Sequence, residues 1–564
     1  MKDQISRREF IAASAAGAIG AALPAWCGDG AAVAGRGAEN TLNYWCTWAM
    51  QGMTRRLPKW RRKVAAIVGE KGKTGAGYAG NYIFDELVYG RKGWSKTMFP
   101  DSRKHLYLML DSGWDVPFGS NPRVSFRPYS SLVPDPKRFP NLGSTDVERL
   151  RNLDARVAAD GWQGVALWVA CLCFGEGNGV WYDDRRSFDD WRRRMEMSRK
   201  AGIRYWKIDF GPQEREGVKY REMVWRAKRE TYPGLVVENK PPHNRAPLNG
   251  LRFPKDGGCA GSGRIFSKAD FARKNWHDTD VGRVCRYSDV LRIYDMLQPF
   301  DIPTTFERVA FYGTAIDSVG TKTVLNLEDS VTVAAVLGHA FGIMRAPGIA
   351  GGFCDFDEVS HLCDRIAEVD RAVAWQRIAP AFGGRADCRS RFSMDALTDE
   401  WHYQKGDGWV SGAWGRDAYQ TAPAALSRGC ELPKVKPIES EPPFAAAMLH
   451  PNGALAVGAF PRVKGGRWRT PRAEISVAAA PAAGRPIAVF GETAAVRVKG
   501  DLRAGGARVF ARDLAGGAEH DITSALAFAD GETVLPGDLL AKIGREAAPA
   551  DAYSAPGTIV QTRL

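Results

Sequence analysis

A lysine and a carboxylate close a short apolar run in the middle of the chain, from Tyr205 to Asp209. If this run is a β-strand, residues two positions apart project from the same face, so Lys207 and Asp209 point into the same space. The ammonium group would then keep the neighbouring carboxylate ionised. In a parallel α/β barrel, reactive side chains lie at the C-terminal ends of the strands. The spacing therefore predicts Asp209 as a carboxylate nucleophile, with a helix-capping aspartate as the alternative interpretation.

A second carboxylate is required for acid–base chemistry beside such a nucleophile. Enzymes that cleave glycosidic bonds with retention of configuration hold their two carboxyl groups about 5 to 5.5 Å apart, which in a barrel means two strand ends facing one pocket. Asp295 ends a second apolar run and is the preferred candidate. Three upstream aspartates compete with it: Asp278, Asp280 and Asp289. A turn or helix-capping role is the alternative for Asp295.

Short apolar runs alternate with amphipathic segments between residues 41 and 350, which is typical of repeated βα units. Eight strands are predicted: Leu42 to Ala49, Leu106 to Leu110, Val165 to Ala170, Tyr205 to Phe210, Leu235 to Asn239, Val290 to Tyr294, Thr323 to Leu327 and Gly342 to Arg345. Eight strands close a (β/α)8 TIM barrel, an α/β fold. Helices are predicted at Thr145 to Asp160, Phe188 to Ala201 and Lys219 to Tyr232, and others start near Pro303 and Asp329.

The last third of the chain has a different pattern. One long amphipathic helix is predicted from Glu358 to Phe382. After Gly383, short alternating runs bounded by Gly, Pro and Asp predict a C-terminal antiparallel β-sandwich region. Four prolines mark a loop or linker inside it: Pro433, Pro437, Pro442 and Pro443. The predicted organisation is a catalytic barrel at 35–384 followed by a β-rich region at 385–564.

Three motifs resemble the α-galactosidase barrels of glycoside hydrolase families 27 and 36, which form clan D. They are Trp45-Cys46-Thr47-Trp48, Leu110-Asp111-Ser112-Gly113-Trp114 and the run from Tyr205 to Asp209, and they follow one another in the clan's order. The resemblance implies that Asp209 is the nucleophile and that Lys207 binds sugar hydroxyls. It implies further sugar contacts from Asp111, Trp114 and Trp48.

The resemblance continues in the second half of the predicted barrel. Glu238 stands where family 27 relatives carry a glutamate that contacts the sugar. Arg292 matches their arginine on the 2-hydroxyl side, and Asp295 matches their acid/base aspartate. Two positions depart from the clan pattern. Ser112 replaces a second aspartate, and the spacing from Arg292 to Asp295 is one residue shorter than the clan's Arg-x-x-x-Asp.

The first 34 residues are predicted to be a twin-arginine export signal. Arg7 and Arg8 precede Phe10 and an Ala/Gly-rich apolar segment that ends at Leu23. That segment is shorter than the roughly 20 apolar residues that a membrane span needs. We therefore expect an exported protein, periplasmic or extracellular, with no membrane association once the signal is removed.

Composition argues against several other classes. The net charge is +14, but the basic clusters are short, scattered and interleaved with acidic residues, so no nucleic-acid partner is expected. The ten cysteines show no repeated Cys-x2-Cys pairs, and no histidine has partners at metal-ligand spacing. No metal and no cofactor are predicted. One or two disulfides are compatible with an oxidising compartment, and the spacing assigns none of them.

The sequence thus predicts an exported retaining glycoside hydrolase that cleaves terminal α-galactosides in an oligo- or polysaccharide. Related specificities are alternatives within the same enzyme class: α-N-acetylgalactosaminidase, β-L-arabinopyranosidase or α-glucan hydrolase. A carbohydrate-binding barrel without catalysis is the alternative from a different class. The oligomeric state is left open.

Overall fold

The computed structural model describes residues 41–70, 75–118, 131–173, 183–209, 218–240, 275–293, 300–345, 365–404, 415–439, 441–464, 467–551 and 553–564. Within these ranges, eight parallel strands form the first sheet. They are β1 Tyr44–Cys46, β2 Tyr107–Leu110, β3 Val165–Ala170, β4 Tyr205–Asp209, β5 Val236–Asn239, β6 Val290–Ile293, β7 Val324–Leu327 and β8 Gly342–Ile343. All eight predicted strands are present, most of them shorter than predicted. Trp48 and Ala49, predicted at the end of the first strand, instead begin the helix Trp48–Thr54. Phe210 and Tyr294 lie outside the described residues.

These strands close into a barrel. Each strand pairs in parallel with the next in sequence from β1 to β7, and β1 also pairs with β8. A parallel bridge from Asn326 in β7 to Ala340, just before β8, completes the ring. The (β/α)8 barrel predicted from the alternating pattern is therefore present.

Side-chain alternation in β4 shows how the barrel separates its two faces. Trp206 points outward into the core under the helices, where it packs on Trp191 with 6.2 Å between ring centroids. Tyr205 points inward and packs on Tyr44 and Tyr107. Because alternate residues share a face, Lys207 and Asp209 also project into the barrel interior.

Twelve α-helices occur among the described residues: α1 Trp48–Thr54, α2 Pro58–Val68, α3 Asp85–Val88, α4 Trp94–Thr97, α5 Asp146–Ala159, α6 Asp184–Ala201, α7 Val218–Thr231, α8 Asp280–Arg286, α9 Asp301–Val319, α10 Val331–Leu337, α11 Ala367–Gln376 and α12 Gly537–Ile543. Helix α5 begins with a capping box in which Thr145 and Glu148 satisfy each other's backbone N–H groups. No helix of the described residues is long and apolar enough to cross a membrane.

The predicted helix from Glu358 to Phe382 is wrong in its extent. The described helix starts at Ala367 and ends at Gln376, and Phe382 is not helical. Residues 358–364 lie outside the described ranges. Pro380 has no backbone N–H and cannot continue the helix. Beyond it, the Phe382 N–H donates to the Gly338 carbonyl at 3.0 Å.

The C-terminal region is built from strands, as predicted. They are β9 Ser390–Phe392, β10 Ala396–His402, β11 Asp417–Pro423, β12 Ala425–Arg428, β13 Lys434–Pro437, β14 Phe444–Leu449, β15 Leu455–Phe460, β16 Arg462–Lys464, β17 Arg467–Arg469, β18 Ala473–Val477, β19 Ile487–Phe490, β20 Ala495–Lys499, β21 Arg508–Asp513, β22 His520–Asp521, β23 Ala527–Ala529, β24 Glu532–Pro536 and β25 Gly557–Arg563. One sheet has eight strands in the order β22-β21-β25-β19-β15-β14-β12-β9, and another has five in the order β13-β18-β20-β24-β23.

Two expectations for this region need correction. The pairing is mixed rather than purely antiparallel, since β12 with β14, β15 with β19 and β18 with β20 are parallel. The proline-marked linker also contains a strand, β13, which ends at Pro437. Proline is tolerated there because β13 is the edge strand of its sheet.

The eight-stranded sheet of the C-terminal region is buried on both faces. In β14, Ala446 and Met448 pack into the core shared with the barrel helices. Ala445 and Ala447, on the opposite face, pack into a second core shared with the five-stranded sheet. This double burial explains why β14 and β15 read as continuous apolar runs without alternation.

Candidate active site

Asp209 is the last residue of β4, at the C-terminal end of the barrel, and it is buried. Its Oδ2 atom accepts hydrogen bonds from Arg292 Nη2 at 2.9 Å and from Trp168 Nε1 at 3.2 Å. Its Oδ1 atom lies 3.1 Å from Lys240 Nζ. Two cations therefore hold the carboxylate, one at each oxygen.

The electrostatic balance keeps Asp209 ionised. Burial alone would raise the pKa of this carboxyl group, but the positive charges of Lys240, Arg292 and Lys207 outweigh burial and hold the pKa well below its usual range. A carboxylate that stays ionised at neutral pH can act as a nucleophile, a base or a stabiliser of positive charge, but it cannot donate a proton.

Lys207 and Asp209 share a face of β4, as predicted, but the lysine bonds other residues. Its Nζ atom lies 3.2 Å from Asp111 Oδ2, 3.4 Å from Glu328 Oε1 and 3.5 Å from Cys46 Sγ. Burial would lower the pKa of Lys207, and so would Arg292, yet Cys46, Glu328 and Asp111 leave it above the ordinary value. Lys207 therefore remains charged and acts on Asp209 through space rather than by contact.

Asp111 follows β2 directly and is held by the segment after β1. Its backbone N–H donates to Thr47 Oγ1 at 2.9 Å, and Cys46 Sγ donates to its Oδ2 at 3.0 Å. Gln51 of α1 donates to the Ser112 carbonyl at 3.0 Å. The first and second strands thus position one carboxylate beside Lys207.

Arg292 bridges the site from β6. Besides Asp209, it contacts Glu328 Oε2 through Nη1 at 3.2 Å, and its Nε atom lies 3.3 Å from Glu238 Oε1. Glu328 follows β7 directly. Burial would raise the pKa of Glu328, but Lys207 and Arg292 lower it below the ordinary value. One guanidinium therefore contacts three carboxylates: Asp209 at the end of β4, Glu238 inside β5 and Glu328 directly after β7.

Glu238 is fully buried below the strand ends. Its carboxylate accepts hydrogen bonds from Tyr44 at 3.0 Å, Tyr205 at 2.6 Å and Asn326 at 2.8 Å. Burial raises its pKa, although Arg292 opposes this. Glu238 thus supports Arg292 from within the barrel, and its predicted sugar contact stays a prediction.

The two predicted tryptophans lie in different surroundings. Trp48 is the first residue of α1 and is partly exposed. Trp114 is fully buried in the main core, and its Nε1 donates to the Trp168 carbonyl at 3.0 Å. Trp48 is therefore partly open to solvent whereas Trp114 is not, and the sugar contacts of both residues stay predictions.

The predicted acid/base residue, Asp295, lies outside the described residues, which resume at Phe300. Of its competitors, Asp289 precedes β6 and bonds Lys228 Nζ and the Val237 N–H, at the N-terminal end of the barrel away from Asp209. Asp280 is the first residue of α8, and Asp278 is an exposed partner of Asn275. None of these three has a described contact with Asp209.

Sequence reasoning missed Lys240, Glu328 and Trp168. Lys240 and Glu328 each stand immediately after a predicted strand, so the rule that selected Asp209 would have found both. Trp168 lies inside β3 and pairs in register with Lys207 of β4, a relation that only the sheet reveals. In the described part of the chain, no group of three or more His, Cys, Asp or Glu is arranged to hold a metal ion.

No family model matches the chain, and no curated protein matches it. Among solved structures, a GH27 β-L-arabinopyranosidase from Geobacillus stearothermophilus shares 9% identity, covers 69% of this chain and 94% of its own, and gives a TM-score of 0.35. A variant of that enzyme in complex with arabinose shares 10%, covers 86% and 94%, and gives 0.36.

The carboxyl transferase domain of pyruvate carboxylase from Rhizobium etli is also similar, with 14% identity, coverage of 53% of this chain and 37% of that one, and a TM-score of 0.24. The matches therefore include the family that the sequence motifs resemble and also an unrelated activity. With TM-scores this low, they carry no weight for the function of this chain.

Proposed function

We propose that the protein is a glycoside hydrolase that cleaves terminal α-galactosides with retention of configuration. The observation that carries this proposal is the position of the Asp209 carboxylate at the end of β4, between Arg292 and Lys240. The order of the clan D motifs along the chain supports it independently, since three separate strand ends match in sequence.

The contacts of Asp209 favour Oδ1 as the attacking atom. Oδ2 accepts two hydrogen bonds, from Arg292 and Trp168, whereas Oδ1 faces Lys240 alone. In the proposed reaction, Oδ1 bonds the anomeric carbon as the leaving oxygen departs, and water then resolves the glycosyl-enzyme. Arg292 and Lys240 hold the carboxylate in place and stabilise it when it is released again.

A proton donor must complete the reaction, and the described carboxylates near Asp209 do not suit this role. Glu328 has a lowered pKa, Asp111 is bonded to Lys207, and Glu238 is fully buried among protein partners. We therefore propose Asp295 as the acid/base, because it stands two positions after Ile293, the last residue of β6, in the sequence.

A panel of aryl glycosides tests this function: α-galactoside, α-N-acetylgalactosaminide, β-L-arabinopyranoside and α-glucoside. We expect the α-galactoside to be cleaved fastest, and NMR of the first product to show the α-anomer. Faster cleavage of another member would assign the enzyme that specificity instead. Such an outcome is the main alternative, because Ser112 replaces an aspartate of the clan D motif. Binding of galactose without turnover of any member would identify a carbohydrate-binding barrel instead.

We also propose that the chain is exported through its twin-arginine signal at 1–34. Support comes from Arg7 and Arg8 before a mildly hydrophobic Ala/Gly-rich segment. Changing both arginines to lysine should trap active enzyme in the cytoplasm, as measured by cell fractionation. Unchanged secretion would show that the pair is only an ordinary basic region of a signal for unfolded export.

A further inference from the structure

Two cysteines of the C-terminal region lie at matching positions of paired segments. Strands β9 and β12 are antiparallel, with Phe392 opposite Leu426 and Ser390 opposite Arg428. The pairing continues beyond the strands, because the Gly429 N–H bonds the Arg389 carbonyl at 3.4 Å. The next residues on the two segments are Cys388 and Cys430, which this register places opposite each other.

The hydrogen-bond pattern makes this the closer type of antiparallel pair. The Gly429 N–H donates to the Arg389 carbonyl, and the Ser393 N–H donates to the Ala425 carbonyl four positions along the same register. The alternation of an antiparallel ladder then makes Cys388 and Cys430 a non-hydrogen-bonded pair. Such pairs have Cα atoms about 4.5 Å apart, within the range of about 4.4 to 6.8 Å that a disulfide spans.

The sulfur atoms also share surroundings. Cys388 Sγ contacts the Leu449 carbonyl at 3.6 Å, and the Cys430 thiol interacts with the backbone of the same residue. A Cβ atom on Gly429 would lie 2.7 Å from Cys388 Sγ, which places that sulfur beside the residue preceding Cys430. Both residues are free thiols in the structure.

We propose that Cys388 and Cys430 form a disulfide bond under oxidising conditions. The oxidant is a small-molecule disulfide such as oxidised glutathione. The partly exposed Cys430 attacks it first, giving a mixed disulfide and one released thiol. The buried Cys388 then attacks the Cys430 sulfur and releases the second thiol, so two protein thiols become one disulfide and the oxidant becomes two thiols.

The bond would close a loop that packs against the barrel. Between the two cysteines lie β10 and β11, and Gln420 of β11 donates to Glu307 of α9 at 3.0 Å. At the start of the loop, the Ser390 N–H bonds Asp317 of the same helix at 2.7 Å. Tying the loop ends restricts the unfolded chain, so we expect an apparent Tm higher by about 5 °C.

Peptide mapping of the full chain tests the bond. The native protein is incubated with oxidised glutathione and then denatured in the presence of N-ethylmaleimide, so that buried thiols are blocked as they become exposed. It is then digested with trypsin. Cleavage after Arg385, Arg389, Arg428 and Lys434 isolates each cysteine, so the expected product is residues 386–389 linked to 429–434. Recovery of both peptides alkylated, or of either linked to another cysteine, would overturn the proposal.

Variants provide an independent measurement. Cys388→Ser and Cys430→Ser should each lose the rise in Tm that oxidation produces, while Cys285→Ser, which changes a buried thiol of α8, should keep it. An equal rise in all three variants would show that another pair is responsible. If a variant fails to fold, the wild-type peptide map still decides.

Discussion

Three cations lower the pKa of Asp209, but only two of them contact it. Lys240 and Arg292 touch the carboxylate, whereas Lys207 lies on the same strand face but bonds Asp111 and Glu328. Loss of a contacting cation should therefore alter the chemistry at Asp209. Loss of Lys207 should instead leave two buried carboxylates without their shared partner.

Substitution of the two lysines should separate these effects. In Lys240→Met the pKa of Asp209 should rise, because one adjacent positive charge is gone. A protonated carboxyl group cannot attack, so activity should fall more steeply below about pH 4 in this variant than in the wild type. The pH dependence of kcat/KM on an aryl glycoside measures this. Superimposable profiles would contradict the assigned role of Lys240.

Lys207→Met is the matched comparison. Removing one partner from buried ion pairs typically costs about 3 to 5 kcal/mol of stability. We therefore expect a lower urea midpoint for Lys207→Met than for Lys240→Met. A smaller loss in Lys207→Met would mean that Asp111 and Glu328 do not depend on this ammonium.

Part of the site was predictable at the residue scale. The two-residue period placed Lys207 and Asp209 on one face, and the strand-end rule could have added Lys240 and Glu328. The choice of partners was not predictable. Lys207 reaches Asp111 and Glu328 across the barrel, and those distances depend on the register of β2, β4 and β7.

At the scale of elements, the turn after β2 depends on a glycine. Gly113 has φ +106, and a Cβ atom there would collide with the backbone carbonyl of Gly80. Gly161 has a similar φ of +94, but its Cβ would meet only Arg103 Cδ at 3.7 Å. A side chain would be strained by the positive φ at both positions, but only at Gly113 would it also clash with the backbone.

Alanine substitutions at these glycines should differ accordingly. Gly161→Ala should cost about 1 to 2 kcal/mol, the strain of a side chain at positive φ. Gly113→Ala should cost more, because the Gly80 backbone must also move, and it should impair activity by displacing Asp111. Urea unfolding of both variants measures the difference, and equal costs would show that the backbone of Gly80 yields freely.

The elements themselves were predictable to different degrees. The barrel strands stand out because each is a buried apolar run between polar helices. The extent of α11 was misjudged, since Phe382 is apolar at helical spacing but is held by Gly338 in an extended segment. Strand β13 was missed because Pro433 and Pro437, at its two ends, resemble the prolines of a linker. Pro437 is tolerated because β13 is an edge strand.

At the scale of the whole molecule, the barrel and the eight-stranded sheet of the C-terminal region share one hydrophobic core. A buried ion pair crosses it, in which Arg371 of α11 donates to both oxygens of Asp513 in β21, each at 2.9 Å. Both side chains are fully buried. Removal of either charged partner leaves the other charge buried and uncompensated between the barrel and the C-terminal sheet.

A double-mutant cycle measures that coupling. Arg371→Met and Asp513→Asn should each lower the free energy of unfolding by about 3 to 5 kcal/mol. The double variant should lose clearly less than the sum, since neither charge is then buried alone. Additive losses in urea unfolding would show that the pair does not link the barrel to the sheet.

The most direct measurement is rescue of Asp209→Gly by azide. We expect kcat on an aryl α-galactoside to fall by about four orders of magnitude or more, and added azide to restore part of it by attacking the same carbon from the vacated space. The product should then be a β-galactosyl azide. As a control, Asp289→Asn changes a carboxylate beside Lys228 at the opposite end of the barrel and should keep wild-type kcat. Near-normal activity of Asp209→Gly would contradict the assignment of Asp209 as the nucleophile.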